Sequence, residues 1–119
     1  MTQEEAITAF AKIISTARNS GINTLKKYIE GTRLKKPASD AEALYSLIDS
    51  LNDEQKDLLV QGIPFLLDIS YFRLFYLLET TENPIKIELN VIDENGKKSA
   101  LIDNENDLEL RSKYFTWVK

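Results

Sequence analysis

The stretch Ile63-Pro64-Phe65-Leu66-Leu67-Asp68-Ile69-Ser70-Tyr71-Phe72-Arg73-Leu74-Phe75-Tyr76-Leu77-Leu78 is apolar almost all the way around a helix. A helix of this kind in a soluble chain is one that the others pack against. The run therefore predicts a rod over about 64–80 at the centre of the fold. It does not read as a membrane span, which needs about 20 apolar residues. Asp68 and Arg73 interrupt its middle, at about 3 kcal/mol each near a bilayer centre.

Upstream of the run, the chain reads as helices separated by punctuation. Thr2 with Glu5 is a capping box, and Ala6, Ile7, Phe10, Ile13, Ile14 and Ala17 follow at helical spacing. Asn19-Ser20-Gly21 predicts a stop or bend there. A short helix carrying Leu25, Tyr28 and Ile29 follows and ends at Gly31. Thr32 to Pro37 reads as a basic linker. Ser39 with Glu42 is a second capping box, opening a helix built on Ala43, Leu44, Leu47, Ile48 and Leu51. Asn52 with Gln55 opens another, with Asp53 and Glu54 in the first turn where the helix dipole favours negative charge. Gly62 and Pro64 predict a break or kink, with Pro64 as first residue of the next helix.

Downstream, the period changes to two. Ile85, Ile87, Leu89 and Val91 alternate with Lys86, Glu88 and Asn90, the pattern of a strand with one wet face. Asn95-Gly96 is a strong hairpin signal, and Ser99 to Ile102 is the expected return strand. Leu108 to Tyr114 reads as a last short helix, with Phe115, Trp117 and Val118 closing onto the core. A third strand over 114–118 fits nearly as well. The expected fold is thus α+β and predominantly helical: four to five helices around the 64–80 rod, a hairpin at about 85–102 and a short closing helix or strand. All 119 residues are expected to form one domain.

Composition narrows the chemistry. The chain has no histidine and no cysteine. That removes the serine–histidine and cysteine–histidine nucleophile arrangements, disulfides and the usual zinc ligands. Four scattered glycines form no phosphate-binding loop. Asp103-Asn104-Glu105-Asn106-Asp107 imitates the start of a calcium loop, but Leu108 and Tyr114 stand where that loop needs glycine and glutamate. No metal, no cofactor and no enzymatic activity are expected. Carboxylate catalysis would need two facing acids, which the sequence does not identify. A reducing, cytoplasmic location is expected, with no secretory leader at the acidic start.

Charge is uneven. Residues 1–38 carry seven basic and three acidic side chains, and residues 39–119 carry eight basic and sixteen acidic. Opposite potentials at two places favour either a charged partner or pairing within the fold, and a homo-oligomer is compatible with them. Two binding surfaces follow. On the 64–80 helix, Asp68, Phe72, Phe75 and Glu79 share one stripe, and aromatics rimmed by charge are typical interface anchors. With the acidic loop Asp103, Glu105 and Asp107, this stripe is the candidate protein-binding site. The competing reading places the stripe in the core, with each charge paired internally. Lys26, Lys27, Arg33, Lys35 and Lys36 form the alternative, nucleic-acid-binding candidate. The acidic balance of the chain and the single nearby aromatic, Tyr28, favour a solvated basic face instead.

The spacing Leu47-x-x-Leu51-Asn52-Asp53-Glu54-Gln55-Lys56-x-Leu58-Leu59, then Asp68-Ile69-Ser70-x-Phe72-x-x-Phe75-x-x-Leu78-Glu79, and the ending Tyr114-Phe115-Thr116-Trp117-Val118-Lys119 resemble a loose group of small bacterial proteins. The resemblance covers about residues 44–119. Some proteins of this size and acidity are immunity proteins that neutralise a toxin encoded beside them. The resemblance therefore implies a non-enzymatic, protein-binding inhibitor of a basic effector, and it transfers no individual site residue.

Overall fold

The computed structural model describes residues 2–80, 88–102 and 110–118. Within them lie α1 (Gln3–Glu30), α2 (Ser39–Ser50), α3 (Asp53–Glu79), β1 (Leu89–Ile92), β2 (Lys98–Ile102) and α4 (Leu110–Trp117). The fold is predominantly helical α+β with one antiparallel hairpin. Its contacts gather into two compact units, Met1–Thr16 with Leu67–Lys119, and Ala17–Leu66.

Local chemistry sets most of the boundaries. The Thr2 Oγ1 accepts from the Glu5 amide at 3.1 Å and starts α1. Gly31 ends it at φ 109°, a left-handed conformation that suits glycine. The Gly31 amide donates to the Tyr28 carbonyl and the Thr32 amide to the Lys27 carbonyl, the paired bonds of a Schellman cap. The expected stop at Asn19-Ser20-Gly21 does not occur. Gly21 costs a helix only about 1 kcal/mol relative to alanine, which a long cooperative element absorbs.

The box at Ser39 is also corrected. Ala38 is the N-cap, with no side-chain cap bond, so Ser39 is already the first helical residue. The Asn52 box forms as expected, with reciprocal bonds of 2.9 and 2.8 Å between Asn52 and Gln55. The helix it opens runs on through Gly62 and Pro64 to Glu79 as one element, not two. Pro64 removes one backbone donor, and the flanking turns carry the helix past it.

The first unit holds a core of Ala6, Phe75, Leu101 and Tyr114, packed by Phe10, Ile14, Tyr71, Leu78, Leu89, Val91, Trp117 and Val118, among others. Rings interlock here: Phe75 lies 5.8 Å from Phe10, 5.9 Å from Tyr114 and 6.1 Å from Trp117. Long-range bonds tie its elements: the Ser15 Oγ donates to the Trp117 carbonyl and the Gln3 Nε2 to the Ala100 carbonyl, among others. The hairpin turns through Glu94, Asn95 and Gly96, with Gly96 at φ 80°. Asp93 closes it by accepting the Asn95 and Lys97 amides, each at 2.9 Å. Those bonds, the Lys97 one foremost, hold the Asp93 carboxyl below its ordinary value. Leu89 pairs with Ile102 and Asn90 with Ala100, which leaves Leu101 on a bulge and in the core. Leu89 and Val91 reach the core as expected, whereas Ile85 and Ile87 lie outside the described residues. Over 114–117 the chain is helical, which settles against a third strand.

The second unit buries Leu25, Tyr45 and Ile48. Tyr45 is its hub. Its ring meets Tyr28 edge-on at 5.1 Å, and its hydroxyl accepts the Leu34 amide at 3.1 Å. The Arg33 guanidinium covers the same ring at 4.6 Å.

Candidate functional site

The burial of α3 differs from the expectation of a rod enclosed on every side. The helix has the length and composition to cross a membrane, yet only 6% of its most apolar window is buried. One face supplies Tyr71, Phe75 and Leu78 to the core of the first unit. At 3.6 residues per turn, Ile69, Arg73, Tyr76 and Leu77 lie on the opposite side, and all four are exposed. Leu77 keeps 63% of its surface and Ile69 keeps 42%. The Arg73 guanidinium lies 5.9 Å from the Tyr76 ring centroid, on the same face. Further back along the same helix, Leu58, Phe65 and Leu66 are exposed as well.

The residues expected to form the protein-binding stripe go elsewhere. Phe75 is 1% exposed and belongs to the core, so it cannot anchor a partner. Asp68 is half-buried and accepts the Tyr114 hydroxyl at 2.6 Å, which makes it a structural acceptor. Phe72 is half-buried and stacks on Phe115 at 5.7 Å. Phe115 was expected to close onto the core, but it remains 42% exposed. Glu79 ends α3, half-buried and engaged in an interaction. Asp103, Glu105 and Asp107 lie outside the described residues.

The basic candidate loses its only arginine to the fold. The Arg33 Nε donates to the Tyr28 carbonyl at 3.0 Å, and its Nη2 meets the Asp49 Oδ1 at 2.9 Å. Lys26, Lys27, Lys35 and Lys36 are exposed. Among the described residues, no group of three or more acidic side chains gathers as a metal site would require. A solvent-facing depression over the first turns of α1, bordered by Thr2, Glu4, Thr8 and Lys12, encloses nothing.

The exposed side chains of α3 carried no sequence signal of their own. A helix apolar on every side has no periodicity to say which face turns outward. What the described outer side of α3 presents is apolar side chains, a ring and one cation. No family model, no curated protein and no solved structure matches the chain.

Proposed function

We propose that this protein is a non-enzymatic binding module that works by protein–protein contact through the outward face of α3. The observation that carries the reading is the set of exposed apolar side chains at Ile69, Tyr76 and Leu77. Contiguous exposed apolar surface is costly in water and marks a place where something else docks. Arg73 on the same face supplies direction and register, and aromatics with arginine are the residue types that dominate interface energies.

In its finer form, suggested by the resemblance, the partner is a basic effector. The acidic excess of residues 39–119 steers its approach before the apolar face anchors it. The test is affinity capture from the source organism at low and moderate salt, using the wild type beside Ile69→Glu with Leu77→Glu. The reading expects a partner on the wild type that the variant loses. Recovery of no protein at either salt sinks it. A salt-sensitive nucleic acid retained through Lys26, Lys27, Lys35 and Lys36 would favour the alternative role instead.

A further inference from the structure

The hairpin tip, Asn95-Gly96, is built from the pair of residues best suited to an intramolecular reaction. The backbone nitrogen that follows an asparagine can lose its proton and attack the side-chain Cγ. The new nitrogen–carbon bond closes a succinimide ring, and ammonia leaves from Cγ. Water then opens the ring to aspartate or to isoaspartate, in which the main chain runs through Cβ and is one carbon longer. A side chain on the following residue hinders the attack, and glycine has none. A Cβ placed on Gly96 would meet nothing within 4 Å. Asn95 and Gly96 are both exposed, so the water and base that the reaction consumes reach them from solvent.

The folded turn opposes this chemistry. The Gly96 amide donates to the Asp93 carbonyl at 3.0 Å, so the nitrogen that must lose its proton is held as a donor. The Asn95 and Lys97 amides both donate to the Asp93 Oδ1 at 2.9 Å, and the Asp93 amide donates to the Lys97 carbonyl at 3.0 Å. A bonded turn over 93–96 that ends on a glycine at φ 80° is the pattern of a type I turn closed by a bulge. Such a turn holds its third residue, here Asn95, at ψ near about 0°. Ring closure instead needs the Gly96 nitrogen eclipsed with the Asn95 Cβ, which that ψ does not provide.

We propose that Asn95 is a self-modification site: it deamidates through a succinimide from the opened turn, and Asp93 is the positioning residue that keeps the turn closed. Openings of this kind are local and need not involve the core. The product matters to the fold. Isoaspartate at 95 lengthens the chain between Asp93 and Lys97, whose pairing leads into the register of β2. That strand carries Leu101, 1% exposed, into the core of the first unit.

The experiment incubates the full chain in mildly alkaline buffer, native and in guanidinium. Conversion of the segment holding Asn95 is followed by mass spectrometry, with aspartate and isoaspartate separated by chromatography. The native wild type is expected to convert at least about tenfold more slowly than the unfolded chain. Asp93→Ala, with its fold checked by circular dichroism, is expected to speed native conversion roughly fivefold, the worth of one ordinary hydrogen bond. Asp93→Asn keeps an oxygen acceptor and is expected to return the rate toward wild type. Tyr114→Phe weakens the core without touching the turn and is expected to leave the rate unchanged.

No conversion even in the unfolded chain overturns the site. Equal rates in native and unfolded wild type overturn the gating, whatever the variants do. An Asp93→Ala rate equal to wild type removes Asp93 from it. So does a Tyr114→Phe variant that speeds conversion as much as Asp93→Ala, because the reactive state is then the globally unfolded chain.

Discussion

Replacing Tyr114 with phenylalanine removes one oxygen from the middle of the first unit and tests whether Asp68 is a structural acceptor. The Tyr114 side chain is fully buried, and its hydroxyl donates to the Asp68 Oδ1 at 2.6 Å. That length is short for a hydroxyl donor and within the range of hydroxyl–carboxylate bonds. Bonds to charged groups contribute about 1.5–3 kcal/mol. Asp68 is half-buried, so water replaces part of what it loses, and the cost of Tyr114→Phe falls to about 1–2 kcal/mol. The ring stays, so no cavity term is added. For a chain of this length, the expected fall in Tm is about 4–8 °C.

Trp117, the only tryptophan, sits 6.5 Å from Tyr114 and reports the melting of this core by fluorescence. Urea titrations of Tyr114→Phe, Asp68→Ala and the double variant close a cycle that isolates the pair. A coupling of about 1 kcal/mol or more is expected. Additive single effects, or a Tyr114→Phe variant within about 0.3 kcal/mol of wild type, would show that the bond contributes nothing to stability.

Other changes distinguish core from surface among residues of the same chemistry. Phe75→Ala should cost about 3–5 kcal/mol in urea melts, and Phe115→Ala under about 1 kcal/mol; equal costs would refute the assignment of the two rings. Asp49→Asn should leave stability within about 0.5 kcal/mol, because its carboxylate is 67% exposed. Arg33→Ala, which also loses the Tyr28 carbonyl bond and the Tyr45 ring, should cost about 1–2 kcal/mol, and the reverse ranking by thermal melt would contradict the network. Asp93 has a lowered folded-state value, so its support of the hairpin is complete above the ordinary aspartate value. That support is lost as pH falls through the folded one. The Asn95 and Lys97 amide shifts should therefore titrate together with a midpoint below that of a free aspartate, and a midpoint at or above it would refute the turn geometry.

Where a sequence signal was a side chain or a glycine meeting a specific backbone group, it was legible. Thr2, Asn52 with Gln55, Gly31 and Gly96 each perform the bond or the left-handed turn their identity predicts. Signals that only add a cost were overruled. Gly21 and Pro64 penalise a helix by about 1 and 3 kcal/mol, and favourable turns on each side absorb that within one cooperative element. The site was legible in its helix but not in its face. Asp68, Phe72 and Phe75 were grouped correctly as neighbours, yet the side they occupy is the one that packs inward.

That inversion carries the functional argument further than the failed breaks do. A helix that needed only to complete a core would use polar residues on its outer side, since they cost nothing there and keep the molecule soluble. α3 instead places Ile69, Tyr76 and Leu77 outward, with Arg73 the one charge among them. Fully burying a large apolar side chain is worth about 1.5–3 kcal/mol, and these three keep between 38% and 63% of their surface in water. Phe75, Tyr71 and Leu78 fill the core of the first unit from the other side of the helix. On the proposed reading, such residues lower the free energy further in a complex, when a second surface covers the outer face of α3.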